Sequence, residues 1–246
     1  MSTPPPTPRQ RALGYAVHAY TASGVAFAFL AAAEMCKAEP SAKAVFVFLI
    51  IAVLVDATDG PLARAWHVKT WAPTIDGRTI DDIVDYLTFT FLPLLLIWRM
   101  GWVPEPGAVW VIPALMASLF GFANKAAKDE SAGFFLGFPS YWNVVAFYAG
   151  LWTIPEGRWF NAALILALAL LTVLPVRFIY PNLAPQRWKV PLMVGALAWI
   201  LILIAMLVRY PHVPLWLTLV SLIYPMWYGV LSIWLDRPPQ RAPSKV

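Results

Sequence analysis

Apolar residues occupy most of the sequence in long blocks, which charged residues, prolines and glycines separate from one another. Several blocks approach the roughly 20 apolar residues that cross a hydrocarbon core about 30 Å thick. Breaking the chain at the interruptions predicts membrane-spanning helices. The eight predicted spans have approximate bounds of 14–33, 43–63, 81–98, 107–123, 139–154, 159–179, 191–208 and 213–235. The pattern therefore predicts an all-α fold, organised as a polytopic transmembrane helix bundle.

The composition places nearly the whole chain in a bilayer. Hydrophobic residues make up 60% of the sequence and charged residues only 13%, whereas soluble domains are about half apolar and a quarter charged. We expect one transmembrane domain over residues 13–235, between disordered tails at 1–12 and 236–246 that are polar and contain prolines. Membrane lipids are the expected surroundings, and no nucleic-acid partner is expected.

The distribution of lysines and arginines predicts the orientation of the bundle. With the N-terminus inside, thirteen of the 18 basic residues fall on one side of the predicted spans. Basic loops are retained on the cytoplasmic side, so both termini are expected in the cytoplasm. The single cysteine, Cys36, excludes an intrachain disulfide and a cysteine-based zinc site.

Acidic residues are concentrated in one part of the chain. Six of the 13 lie in a window that covers the second span, a loop and the start of the third span. They are Asp56, Asp59, Asp76, Asp81, Asp82 and Asp85. Carboxylates at a membrane edge are costly, and they usually bind ions, handle protons or pair with bases. This window is therefore the main candidate for chemistry.

Helical spacing sorts these carboxylates onto two faces. Asp56 and Asp59 share one side of a helix, and Asp81 and Asp85 share one side of the next. Two antiparallel helices aim all four into one cleft, where their mutual repulsion requires cations. Because neither face offers Cys or His, the oxygen ligands predict Mg²⁺ or Mn²⁺ rather than zinc. Asp82 points about 100° away from Asp81, so a salt bridge or a helix cap is expected for it.

Small residues and an arginine surround the carboxylates in a fixed order. The runs Asp56-Ala-Thr-Asp59-Gly60-Pro-Leu-Ala63-Arg64 and Gly77-x3-Asp81-x3-Asp85 resemble the signature of the CDP-alcohol phosphotransferases, DxxDGxxAR…GxxxDxxxD. The insert between the two runs, Ala65 to Asp76, has 12 residues and is longer than in most of that family. This spacing, with the strings IDGRTIDDIVDYLTF, residues 122–148 and VRFIYPN, resembles the bacterial phosphatidylcholine synthases.

The resemblance implies a reaction and a set of roles. A six-helix core within the bundle would transfer the phosphatidyl group of CDP-diacylglycerol to choline and release CMP. The implied metal ligands are Asp56, Asp59, Asp81 and Asp85, with Asp85 also the catalytic general base. The implied nucleotide-binding residues are Gly60, Ala63, Arg64 and Gly77. Asp76, inside the longer insert, is either a loop residue or a nucleotide contact.

The same resemblance implies the surroundings of the reaction. Two Mn²⁺ or Mg²⁺ ions are the expected cofactors, and CDP-diacylglycerol and choline are the expected substrates. The expected location is the bacterial inner membrane, with the active site facing the cytoplasm, and a homodimer is compatible with the resemblance.

Recognition of choline is expected to use aromatic faces, since a quaternary ammonium has no hydrogen-bond donor. The candidates for choline are Tyr86, Tyr141, Trp142 and Tyr180. Lys125 and Arg177 are the candidates for contact with the phosphates of the anionic lipid donor.

Three alternatives remain at this point. Serine, inositol or a glycerol phosphate could replace choline as the acceptor. The string Asp81-Asp82-Ile-Val-Asp85 also resembles the DDxxD motif of membrane prenyltransferases, but only Asp129 and Asp236 follow it as aspartates. A cation transporter is the third alternative, against which all four carboxylates lie toward one membrane face.

Overall fold

The computed structural model describes residues 5–124, 128–129, 133–181 and 183–236. Its helices are α1 Pro8–Ala22, α2 Gly24–Met35, α3 Ala42–Ala65, α4 Val68–Trp71, α5 Gly77–Asp85, α6 Leu92–Arg99, α7 Ala108–Ala123, α8 Trp142–Ala149, α9 Pro155–Val173, α10 Gln186–Arg209 and α11 Leu215–Leu235. A π-helical segment, Tyr86–Phe91, joins α5 to α6 without a break.

Within the part of the chain that the structure describes, five helical segments are long and apolar enough to cross a membrane. They are 8–35, which combines α1 and α2, and the helices α3, α9, α10 and α11. Helix α7 is a shorter apolar helix of 16 residues, and the α5–α6 unit runs from Gly77 to Arg99. These elements confirm the predicted polytopic helical bundle. Large apolar side chains such as Phe29, Phe120 and Val230 are exposed, as expected for surfaces that face lipid.

The first helix begins earlier than the sequence pattern indicated. Helix α1 starts at Pro8, inside the segment 1–12 that was assigned to a disordered tail. Thr7 caps it: the Thr7 hydroxyl accepts a hydrogen bond from the Gln10 amide, and the Gln10 side chain accepts one from the Thr7 amide. This capping box, with proline in the first turn, is a strong helix start that a hydrophobicity pattern does not detect.

The predicted span 139–154 is not one long helix. Only Trp142–Ala149 is helical, about 12 Å at 1.5 Å per residue, which is too short to cross the hydrocarbon core. The residues before it are extended, with the amide of Phe138 bonded to the carbonyl of Leu171. Ser140 has a left-handed φ of 54°. The chain therefore turns at Ser140 and becomes helical only from Trp142 onward.

A small antiparallel sheet accompanies the helices, which the all-α prediction did not include. Its strands are β1 Lys128–Asp129, β2 Phe134–Leu136 and β3 Arg177–Ile179, in the order β1-β2-β3. Helix α9 stops at Val173, before the end of the predicted span 159–179. Strand β3 forms the last three residues of that predicted span. Leu174 is extended before Pro175, since a residue that precedes proline disfavours the helical conformation.

Helix α11 holds the sheet against the bundle. The Tyr228 hydroxyl donates to the carbonyl of Ile179 at 2.8 Å, and the amide of Ile179 donates to the Ser232 hydroxyl at 3.3 Å. Ile179 also packs with Leu192 and Leu231 in a local apolar cluster. Asp236, assigned to the C-terminal tail, lies 3.7 Å from Arg177 in an ion pair, and residues 237–246 lie outside the described residues.

Candidate active site

The carboxylates of α3 and α5 converge as the helical spacing predicted. One carboxylate oxygen from each of Asp56, Asp81 and Asp85 lies within 4.8 Å of the other two. All three side chains are half-buried. Helix α3 presents Asp56 near its C-terminal end, and α5 presents Asp81 and Asp85 on consecutive turns. The fold therefore gathers three acidic groups from two helices at one point.

Asp59, the fourth predicted ligand, is not in that group. It lies one turn further along α3 and is buried, with 6% of its surface exposed. Its side chain lines a second cavity, whereas Asp56 and Asp85 line the first. Asp81 lines both cavities. The four aspartates of the motif are thus divided between the two cavities, and Asp81 belongs to both.

The first cavity has a volume of about 590 Å³ and an aromatic wall. Its aromatic lining consists of Phe89, Phe122, Phe135, Phe138, Tyr141, Tyr180 and Tyr228. These rings come from the π-helical segment, the end of α7, the sheet, the extended stretch before α8, and α11. Asp56, Asp81 and Asp85 line the same cavity, which therefore combines aromatic faces with negative charge.

Tyr141 reaches this cavity because its two neighbours are anchored inside the bundle. The Ser140 hydroxyl donates to the hydroxyl of Ser118 at 3.1 Å, and the indole N–H of Trp142 donates to the same oxygen at 2.6 Å. Both neighbours are buried, whereas Tyr141 is 48% exposed. Its ring lies 6.2 Å from that of Phe89, centroid to centroid. Ser140 and Trp142 thereby fix the direction of the tyrosine.

The structure separates the predicted choline contacts into two groups. Tyr141 and Tyr180 line the first cavity. Trp142 does not, because its indole is fully buried against Ser118. Tyr86 is also turned away: its hydroxyl donates to the carbonyl of Leu115, and its ring packs edge-on against Phe122. Tyr86 and Trp142 therefore support cavity-lining residues rather than lining the cavity.

Arg177, one of the two predicted lipid-phosphate contacts, lines neither cavity. Arg177 lies in β3, half exposed, and pairs with Asp236. Lys125 lies outside the described residues. Two other basic residues, Arg64 and Arg78, line both cavities.

The second cavity collects the predicted nucleotide-binding residues. Its volume is about 780 Å³. Gly60, Ala63, Arg64 and Gly77 all line it. The guanidinium of Arg64 lies next to Gly60 on the same helix. A Cβ added at Gly60 would stand 3.4 Å from Nη1 of Arg64. His67 and Lys69 add basic groups from the loop and α4, and Val17, His18 and Thr21 add a wall from α1.

Asp76 fixes the start of the helix that carries Asp81 and Asp85. Its carboxylate accepts hydrogen bonds from the amide of Arg78 at 3.0 Å and from the hydroxyl of Thr79 at 2.9 Å. The Thr79 hydroxyl and the Arg78 amide lower the pKa of Asp76 below its ordinary value. Asp76 is thus the N-cap of α5 and also lines the second cavity. Contact of Asp76 with the nucleotide stays a prediction.

The salt bridge expected for Asp82 is present. Its carboxylate lies 3.8 Å from Nε of Arg78, one turn earlier on α5. Arg78 therefore has two positions in the structure: it forms an ion pair within α5, and it lines both cavities. Nothing in the motif singles it out, although its position between Gly77 and Asp81 places it beside the carboxylates.

The chemistry of the donor set fits a hard divalent cation. Three carboxylates from two helices approach within 4.8 Å of one another, so this group can hold a metal ion. Oxygen ligands of this kind suit Mg²⁺ and Mn²⁺. The buried carboxylate of Asp59 is one helical turn away and faces the nucleotide motif.

Comparison with known proteins identifies the family. A phosphatidylcholine synthase from Pseudomonas aeruginosa is 41% identical over 178 residues, which cover 71% of this chain and 72% of the relative. The chain belongs to the phosphatidylcholine synthase family. Phosphatidylcholine synthases from Mesorhizobium japonicum and Legionella bozemanae are 35% and 31% identical, over 70% and 76% of this chain and 62% and 88% of their own length. No family model matches the sequence.

Membership of the phosphatidylcholine synthase family confirms the resemblance drawn from the aspartate motif and its long insert. Sequence reasoning missed several cavity residues that the structure brings in, among them His18, Arg78, Phe89 and Tyr228. Phe89 stands four residues after Asp85, and this spacing was the available signal for it. His18 and Tyr228 are far from the motif along the chain, so only the fold brings them to the site.

Proposed function

We propose that the protein is a metal-dependent CDP-diacylglycerol–choline phosphatidyltransferase, which forms phosphatidylcholine and releases CMP. The observation that carries the proposal is the meeting of an aromatic cavity and a cavity lined by the nucleotide motif at one group of carboxylates. A transferase for two substrates needs two adjoining sites with the reacting atoms between them. The family relatives supply the name of the product.

The donor's nucleotide fits the second cavity. Gly60, Ala63 and Gly77 keep backbone accessible there, and Arg64 and Arg78 extend from it into the first cavity. Guanidinium groups suit phosphate oxygens because they donate several hydrogen bonds in one plane. The diphosphate would therefore lie at the junction, beside Asp81, which lines both cavities.

Choline fits the first cavity. A quaternary ammonium is attracted to aromatic faces and to negative charge, and this cavity offers both. Tyr141 and Tyr180 remain the candidate contacts from the sequence, and Phe89 and Tyr228 join them from the structure. A primary ammonium such as that of serine would lose hydrogen bonds to water against such a wall, which favours choline as the acceptor.

Asp85 is suited to be the general base. It lines the first cavity and not the second, so it faces the acceptor's side of the junction. The choline hydroxyl attacks phosphorus, its proton passes to the Asp85 carboxylate, a new P–O bond forms and the bond to CMP breaks. A carboxylate is a weak base for an alcohol, so proton transfer accompanies attack. Arg64 and Arg78 stabilise the charge that develops on the leaving phosphate.

Asp56, Asp81 and Asp85 would hold the divalent ion, with Asp59 beside the donor. When bound, Mg²⁺ or Mn²⁺ ions neutralise phosphate charge and stabilise the leaving group, and we propose two ions by analogy with other phosphoryl-transfer sites.

The helices make this a multi-pass membrane protein. We propose that it resides in the bacterial inner membrane with the junction at the cytoplasmic face. The clustering of basic residues on the side of Arg64 and Arg78 supports this orientation.

One experiment tests the acceptor directly. Purified protein with CDP-diacylglycerol and Mn²⁺ is offered choline, serine, inositol and glycerol 3-phosphate in parallel, and CMP release is measured. We expect CMP release with choline alone, and chelation by EDTA should stop it. CMP release that depends on another acceptor would refute choline, and release without any divalent ion would refute the metal requirement.

A further inference from the structure

A buried histidine lies in the second cavity outside the signature motif. His18 belongs to α1, and only 7% of its surface is exposed. It lines the cavity together with the motif residues Asp59, Gly60 and Gly77. A polar ring buried in a cavity of this kind normally has hydrogen-bond partners for both nitrogens.

One nitrogen of His18 is assigned by its partner. Nε2 lies 3.4 Å from the carbonyl oxygen of Ala72. A carbonyl only accepts, so Nε2 carries the hydrogen and donates. Ala72 is itself held by the bond from its amide to the carbonyl of Val68. In the neutral ring this tautomer leaves Nδ1 as an acceptor.

The other edge of the ring faces Gly77. A Cβ built on Gly77 would lie 2.9 Å from Cε1 and 3.0 Å from Nδ1 of His18. Any side chain at position 77 would therefore displace the ring or cover its Nδ1 edge. The second glycine of the motif thus leaves room for the histidine, whose Nδ1 edge lies next to the Gly77 backbone.

The neighbouring hydroxyl on α1 is already used within its own helix. Thr21 donates to the carbonyl of Val17 at 3.3 Å. The Thr21 oxygen can still accept, so His18 and Thr21 are both possible acceptors on the α1 wall of this cavity.

We propose that His18 recognises the nucleoside of the donor, with Nδ1 accepting a hydrogen bond from an N–H or O–H group of cytidine. This inference rests on the proposed function, which assigns the nucleotide to the second cavity. The cytosine 4-amino group and the ribose hydroxyls are the donors that cytidine offers. A buried acceptor rejects an analogue that lacks the matching donor, since the acceptor is then left without a partner.

Two isosteric substitutions separate the two nitrogens. His18→Gln places an amide near the position of Nε2, so it retains the contact with Ala72 and loses the acceptor at Nδ1. His18→Asn places an amide near Nδ1 and loses the contact with Ala72. Binding of CMP to the purified full-length protein with Mn²⁺, without choline, is measured by calorimetry. We expect His18→Gln to weaken CMP binding by about tenfold, the loss of one hydrogen bond, and His18→Asn to weaken it less.

Analogues identify which group is recognised. If Nδ1 accepts from the 4-amino group, the wild type prefers CMP to UMP and His18→Gln loses that preference. If it accepts from ribose, His18→Gln weakens CMP and UMP alike and leaves 2′-deoxy-CMP unchanged. Equal losses in His18→Gln and His18→Asn, or unchanged binding in His18→Gln, would overturn the role of Nδ1.

Two controls complete the design. His212, exposed in the loop between α10 and α11, offers a matched substitution, and His212→Gln should bind CMP as the wild type does. Gly77→Ala should lower both thermal stability and CMP binding, and the loss of stability should shrink in a His18→Ala background because the collision is gone. Failure of the wild type to bind CMP would reject the proposed function, whereas normal binding in His18→Gln would reject this inference alone.

Discussion

The two cavities meet at Asp81 but are built in different ways. The second is lined by residues of the motif and its insert, all between Asp59 and Asp81, and by α1. The first draws its aromatic wall from several separate regions of the chain between Phe89 and Tyr228. Phenylalanine and tyrosine rings line only the first cavity, whereas Arg64, Arg78 and Asp81 line both.

We infer from this difference that each cavity binds one of the two substrates. A nucleotide diphosphate carries the same groups in every reaction of this kind, so a short fixed motif is sufficient for it. An acceptor alcohol differs in shape and charge, and distributed aromatic residues provide a surface that can be specific to it. Substitutions in one cavity should therefore affect one substrate and leave the other nearly unchanged.

The largest effect is expected at the proposed general base, Asp85, which lines the first cavity but not the second. Asp85→Asn should lower kcat by about 10²- to 10⁴-fold, the usual contribution of a general base. CMP binding should persist, because Asp85 does not line the second cavity. Turnover and CMP binding are measured on the same preparation. Parallel loss of both would mean that Asp85 acts mainly as a metal ligand.

A second comparison concerns the two aspartates of α3. Asp56 lies in the group of three carboxylates, whereas Asp59 lies one turn away in the second cavity. Asp56→Asn should raise the Mn²⁺ concentration for half-maximal activity by about tenfold or more, since loss of a ligand costs at least as much as loss of its supporting contacts. Asp59→Asn should shift it less and weaken donor binding more. An unchanged Mn²⁺ titration in Asp56→Asn contradicts the assigned ligand role.

The aromatic wall should affect choline alone. Tyr141→Ala should raise the KM for choline by about 2- to 30-fold, the range for one cation–π contact, and leave the KM for CDP-diacylglycerol unchanged. Tyr141→Phe retains the aromatic face and serves as the matched control. If the phenylalanine variant loses as much as the alanine variant, the hydroxyl rather than the ring binds the acceptor.

The sequence predicted the junction of the cavities better than their walls. Asp56, Asp81 and Asp85 converge because helical periodicity is a local property, and four-residue spacing determines which side chains share a face. The same reasoning included Asp59, although three residues at 100° each turn its side chain 60° away from Asp56. That angle is enough to direct it into the other cavity.

The aromatic wall could not be predicted because it depends on non-local contacts. Trp142 and Tyr141 are adjacent and of similar character, yet one is buried against Ser118 and the other lines the cavity. The apolar pattern of the predicted spans also gave no sign of the non-helical residues before α8 or of strand β3. Apolar residues there pack against other helices rather than forming one of their own, so hydrophobicity alone does not distinguish the cases.

The smallest effect is expected at Asp76. This residue caps α5, the helix that carries Asp81 and Asp85. Its substitution therefore tests structural support of the carboxylates rather than the reaction itself. Its pKa is lowered by the Thr79 hydroxyl and the Arg78 amide, so its ionised form stabilises the start of α5. That stabilisation is complete above the ordinary aspartate pKa and is lost as the pH falls through the lowered one. Asp76→Ala should therefore lower the Tm at pH 7, and the difference from wild type should shrink below about pH 4. Asp76→Asn keeps a capping acceptor and should lie close to wild type at pH 7. A Tm difference for Asp76→Ala that does not change with pH would mean that the carboxylate charge adds nothing to the cap.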